Sequence, residues 1–183
     1  FKRGSYLIEV AHAGLAAGAH VYHQITRDGK PAEGSTNSMM MGVTTFTGPA
    51  VFTSGAKYQK VEFGDIADGS AKYATKSSDG WLGMVQHYFV SAWVPSGEVE
   101  REFYMRKVAD NLFSSGVITP VAADGTNVIS LYAGPQEQDK LASIAPGLEL
   151  VVDYGWLTVI AAPLFWVLQF LHGVSGNWGW AII

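Results

Sequence analysis

The side chains of this chain that could do acid or base chemistry are few, and their spacing does not join them. His87 stands inside a long aromatic run, where a carboxylate such as Glu62 or Glu100 could face it as a proton-transfer partner. No local pattern specifies that pairing, and a hydrogen-bonded core or surface histidine is the plainer reading. His20 and His23 are three apart, a spacing that on a strand sends them to opposite faces and away from a common metal ion. Glu98, Glu100 and Glu102 alternate with Val99 and Arg101, which sets three carboxylates on one face of an extended segment and reads as a solvated edge that discourages strand addition. Met39, Met40 and Met41 read first as core filling and second as a soft surface for a peptide. With no cysteine there is no disulfide, thiolate nucleophile or thiolate-held metal. No phosphate-binding glycine loop, nucleophile elbow or paired-histidine metal helix occurs. The residues therefore point to no catalytic group, no cofactor and no metal.

Composition narrows the class further. With 183 residues, 48% hydrophobic and 15% charged, the chain suits one packed domain with an appendage. Its net charge of −4 lacks the basic stripe of a nucleic-acid binder, so no nucleic-acid partner is expected. The opening Phe1-Lys2-Arg3-Gly4 runs into an alternating pattern without a signal-peptide core, and both ends read as cut.

Short β-rich runs occupy Tyr6 to Val10, His20 to Thr26, Met39 to Phe46, Tyr58 to Phe63, Trp81 to Val94, Phe103 to Val108, Val117 to Val121 and Val128 to Tyr132. Asp-Gly breaks at Asp28-Gly29, Asp68-Gly69, Asp79-Gly80 and Asp124-Gly125 supply the positive φ of tight turns. Together they predict a mainly β, antiparallel sandwich. The run from Trp81 to Val94 reads as one long central strand buried on both faces. A helix is expected over Gln136 to Ile144, with Pro135 in its first turn and Pro146-Gly147 after it, and Leu148 to Val152 reads as a last strand.

The tail is distinct. From Tyr154 to Ile183 there is no Asp, Glu, Lys or Arg, yet the span holds Trp156, Trp166, Trp178 and Trp180, four of the six tryptophans. Its apolar run from Trp156 to Leu171 is shorter than the roughly 20 residues a membrane-crossing helix needs, and Pro163 is expected to break or bend it. Thr158, Gln169 and His172 fall within about 60° on a helical wheel, leaving a narrow polar stripe. The expectation is an amphipathic helix at a membrane interface, seated through Trp156, Phe165, Trp166 and Phe170. The glycine-rich run Gly173 to Gly179 is expected to end it, with Trp178 and Trp180 marking the start of a transmembrane helix.

Asp153-Tyr154-Gly155-Trp156, Pro163-Leu164-Phe165 and Gly176-Asn177-Trp178-Gly179 resemble the start of the membrane core of the YidC membrane-protein insertases, proteobacterial type. The likeness runs upstream through Gly134-Pro135, Gln138-Asp139-Lys140-Leu141, Ala145-Pro146, Gly80-Trp81, Gln86-His87-Tyr88-Phe89 and Ala92-Trp93 to Phe1-Lys2-Arg3-Gly4. For such a protein the resemblance implies a periplasmic antiparallel β-supersandwich of the galactose-mutarotase kind, a linker helix, an amphipathic helix on the membrane face, and then the second transmembrane helix. On that scheme residues 1–133 form the sandwich, incomplete at its N-terminus, and 134–152 the linker helix and last strand. Residues 153–175 form the interfacial helix and 176–183 the start of the transmembrane helix. The resemblance further implies a location in the bacterial inner membrane with the β domain in the periplasm. The implied partners are inner-membrane lipids, nascent membrane proteins and the Sec translocon, with its SecF subunit contacting the stretch from about Asn37 to Gln86. The groove arginine of the family would lie beyond Ile183. Relatives carry lysines in the interfacial helix where this chain has Trp166 and Gln169, so apolar insertion must supply its membrane affinity. The implied role is a non-enzymatic scaffold for insertion; the alternative is a carbohydrate-binding or mutarotase-like sandwich, which would need His87 and a glutamate to converge.

Overall fold

The computed structural model describes residues 5–29, 46–152, 158–177 and 179. Two antiparallel sheets form a sandwich. The larger is ordered β1 (Leu7–His12), β10 (Asn127–Pro135), β7 (Phe89–Pro95), β6 (Trp81–Val85), β3 (Gly48–Thr53) and β4 (Lys57–Lys60). The smaller is ordered β2 (His20–Asp28), β9 (Leu112–Pro120), β8 (Arg101–Ala109) and β5 (Lys76–Ser77). Helices α1 (Phe63–Ala67), α2 (Gln138–Ile144) and α3 (Thr158–Ser175) complete the described elements with a 3-10 helix at Leu148–Val151.

Strand alternation divides the six-stranded sheet between two cores. Ala50, Phe52, Trp81, Val85, Val90 and Ala92 face α2 and the 3-10 helix, which contribute Leu141, Ala145, Leu148 and Val151. Val51, Leu82, Trp93 and Ile129 point the other way, toward Phe103 and Val117 of the smaller sheet. Each fully buried large side chain contributes about 1.5–3 kcal/mol, so β3 and β6, buried along their whole lengths, are gripped from both sides. Val61, Ile66 and Phe113 make a third core beneath α1.

The run from Trp81 to Val94 is a hairpin, not one strand: β6 and β7 pair antiparallel, with Leu82 opposite Trp93 and Val85 opposite Val90. The turn at Gln86-His87-Tyr88 carries no Asp-Gly signal, because distant groups hold it. The Gln86 N–H donates to the Phe89 carbonyl at 2.8 Å. The Gln136 side chain donates to the Gln86 and Phe89 carbonyls, and its backbone N–H to that of Tyr88.

The expected last strand at Leu148 to Val152 is the 3-10 helix instead. Gly147 enters it at φ +76°, and a Cβ there would lie 2.3 Å from the Phe52 ring, so the chain turns down onto the sheet where only glycine fits. The expected strand from Tyr58 to Phe63 ends at Lys60, and Phe63 opens α1. Of the run Met39 to Phe46, all but Phe46 lies outside the described residues, as do the three methionines. β3 escapes a period-two reading because both its faces are apolar.

Candidate membrane-facing site

His87 sits exposed in the β6–β7 turn, its ring edge-on to Tyr88 at 4.1 Å. No hydrogen bond or ion pair joins it to Glu62, which precedes α1, or to Glu100, which precedes β8. Glu100 adjoins Arg101, whose bond to the Pro95 carbonyl places it at the far end of β7 from His87, about 20 Å away at 3.3 Å per residue. The His87–glutamate convergence that the mutarotase-like alternative needs is therefore not formed. Glu98, Glu100 and Glu102 are all exposed, and Glu102 meets Lys76 at 3.8 Å.

One cavity of about 280 Å³ lies between the sheet end and the close of α2, lined among others by Phe52, Asp79, Trp81, Ser96, Arg101 and Pro146. Its cation is committed to the fold. Arg101, 2% exposed, donates from Nε to the Val99 carbonyl and from Nη1 to those of Gly80 and Pro95. Its Nη2 donates to the carbonyls of Ser78 and Gly97. A guanidinium has five N–H donors, and all are used, so none is left for a ligand. Burial lowers its pKa, opposed by the Asp79 charge. Asp79 is itself held below the usual carboxylate range, chiefly by hydrogen bonds from Ser54 and Ser77. The Ser54 N–H donates at 3.0 Å and the Ser77 hydroxyl at 2.6 Å.

His20 is exposed and His23 buried, the opposite facing that their spacing predicts. His23 Nε2 lies 3.0 Å from Asn127 Oδ1. Asn127 Nδ2 spends its protons on Thr119 Oγ1 and the Pro120 carbonyl, so the Asn127 oxygen accepts and His23 Nε2 carries the proton. The His12 and Trp93 rings lie 5.6 and 5.1 Å away, and burial pushes the His23 pKa down. No group of three or more metal-ligating side chains occurs among the described residues.

The feature left without a structural explanation is α3. It runs unbroken from Thr158 to Ser175 across Pro163, which corrects the expected helix break. Pro163 is the sixth residue of the helix, past its first turn, so it forfeits the bond its own N–H would have made to Val159 and its ring crowds that carbonyl. The helix also continues through Gly173 and closes at Gly176, whose φ is +64° and whose N–H donates to the His172 carbonyl at 2.7 Å. Leu164, Trp166, Val167, Phe170, Leu171 and Val174 are exposed, Trp166 at 66%. Trp166 and Phe170 stack one turn apart at 6.1 Å. None of the described side chains of α3 enters the three cores. An uncharged helix showing this much apolar surface needs a cover. No described helix is long and apolar enough to cross a membrane. Trp156, Trp178 and Trp180 lie outside the described residues, as does the side chain of Phe165.

Two features were not read from the sequence. Arg101 as a carbonyl hub was hidden among the glutamates. The exposed aromatics of the hairpin tip lay in what reads as a buried strand, although the absence of charge from Gly80 to Gly97 is the signal that marks this hairpin.

A family model described as the YidC periplasmic domain matches residues 1–167. Among curated relatives, the membrane protein insertase YidC of Aromatoleum aromaticum is 61% identical over the whole chain, which covers 34% of that protein. The proteins of the same name from Dechloromonas aromatica and Nitrosospira multiformis are 56% and 46% identical over the whole chain, which covers 35% and 33% of them. The chain spans about a third of the length of these relatives.

Proposed function

We propose, because this chain belongs to the YidC periplasmic-domain family, that it is the periplasmic module of an inner-membrane insertase, with α3 seated in the membrane interface. The observation that carries this reading is the uncharged, apolar exposure of the described side chains of α3, none of which enters the three cores. Burying Leu164, Trp166, Val167, Phe170, Leu171 and Val174 at about 1.5–3 kcal/mol each outweighs the lack of basic residues. Trp166 sits at the headgroup boundary. The α2 and 3-10 layer links this anchor to the sandwich, which serves as a scaffold. Its partners are membrane lipids and nascent membrane proteins. SecF contacts a surface on the stretch from about Asn37 to Gln86.

The sandwich carries out no reaction of its own on this reading. His87→Gln leaves insertion by the full-length protein unchanged, and aldose mutarotation that vanished on that replacement would overturn it. The membrane seat is tested by flotation with phospholipid vesicles. The whole chain should float and show a blue-shifted indole emission, whereas a chain ended at Val152 should keep its sandwich and stay in the aqueous fraction. Equal behaviour of the two, with the longer chain monomeric, would overturn the reading.

A further inference from the structure

The second exposed aromatic feature of this chain is the β6–β7 tip, where Tyr88 is 68% and Phe89 55% exposed. Tyr6, 45% exposed, flanks it across β10, since its carbonyl accepts from Ala133 while Phe89 stands opposite Pro135. Three hydrogen bonds from two groups of Gln136, with that from the Gln86 N–H, bind the turn, so the tip loses little conformational freedom on docking. The hairpin from Gly80 to Gly97 contains no charged residue. Beside it, at the start of α2, Lys140 pairs with Glu137 at 2.7 Å and lies over the Tyr6 ring, with Asp139 exposed in the same turn.

The occupant is indicated by where the chain goes next. The core that holds Val85 and Val90, the residues flanking the tip, also holds Leu148, Val151 and Val152, from which the chain leaves for α3. Val152 and Thr158 are six residues apart, a link of at most about 21 Å when fully extended. A bilayer that receives α3 is thereby held close to this face of the sandwich.

We infer that the Tyr88-Phe89 tip is a second contact with the same lipid surface, dipping its rings into the headgroup region and fixing the tilt of the sandwich over the membrane. Aromatic side chains with a polar atom are suited to that boundary. The inference rests on the interfacial seat proposed for α3, and the test separates the two.

Because the chain has no cysteine, single cysteines can be introduced into the whole 183-residue chain as Phe89→Cys, Trp166→Cys and Val108→Cys, each carrying an environment-sensitive fluorophore. Val108 is exposed on the smaller sheet and serves as the aqueous reference. On adding vesicles of phosphatidylethanolamine and phosphatidylglycerol, emission from positions 89 and 166 should shift to the blue and be quenched by spin-labelled lipid, with position 108 unchanged. A response at 166 while 89 behaves like 108 overturns the tip contact and leaves the α3 seat standing; no response at either overturns both. A chain carrying Tyr88→Ser and Phe89→Ser, with an unaltered urea midpoint to show that it folds, should partition into the vesicles about tenfold more weakly. Unchanged partition of that variant would also overturn the tip contact.

Discussion

The indole Nε1 of Trp81 donates to the carbonyl oxygen of Pro146 across 3.1 Å, joining groups 65 residues apart. The bond ties an inner strand of the six-stranded sheet to the turn that follows α2. Phe52 stacks on the same indole at 6.1 Å, nearly parallel to it, and also fills the space beside Gly147. The layer that leads to α3 is therefore latched to the sandwich at one aromatic pair.

Trp81→Phe keeps most of the ring but deprives the Pro146 carbonyl of its donor. It should lower stability by about 1–3 kcal/mol, read from the urea midpoint. Hydrogen exchange of α2 and the 3-10 helix should accelerate more than that of β8 and β9. Uniform acceleration throughout would mean that the latch does not act locally.

Arg101→Met should cost about 3–5 kcal/mol, because it leaves buried carbonyls of two loops without their donor. Arg101→Lys should recover little of this, since an ammonium has three donors on a flexible stem and cannot reproduce the planar fork. A lysine variant as stable as the parent in urea would refute the hub role.

His23 gives the fold a pH dependence of definite sign. Its pKa in the folded chain is lowered from 6.5, first by burial, with the Asn127 hydrogen bond opposing and the His12 charge assisting. The unfolded chain thus binds the proton more readily, and stability falls as pH drops below about 6.5 toward the lower folded value. Asp79 and Asp124, whose pKa values are depressed from 3.8, lose their contributions only in more acidic solution. Urea midpoints should therefore decline between pH 7 and 5, and His23→Gln should flatten that decline; an unaltered slope would count against the assignment.

If SecF contacts this domain, the exposed charges of the described part of that stretch are where it should be felt. Reversing Lys57, Asp65, Asp68 and Lys72, all exposed, should weaken capture of SecF by the full-length protein about tenfold, as for a modest, polar interface. Capture undiminished by all four reversals would place the contact elsewhere.

Much of this protein was legible before any coordinates. Period-two runs and Asp-Gly breaks announced an antiparallel sandwich, and the absence of charge after Asp153 announced a helix apart from the sandwich, because alternation and charge are local properties that a single stretch of chain carries. What the sequence could not carry was anything decided by a distant partner. Trp81 to Val94 became a hairpin because Gln136 closes its turn from 50 residues away. Leu148 to Val151 became a 3-10 helix because Phe52 occupies the space beside Gly147. Arg101, set in an acidic stretch that reads as solvated, turned inward because two loops brought their carbonyls to one point. His87 went the other way, to an exposed turn, since the position that looked central in one long strand is the fold-back between two. In each case packing and hydrogen bonding between segments far apart in the chain outweighed local propensity, and only the tertiary structure brings those segments together.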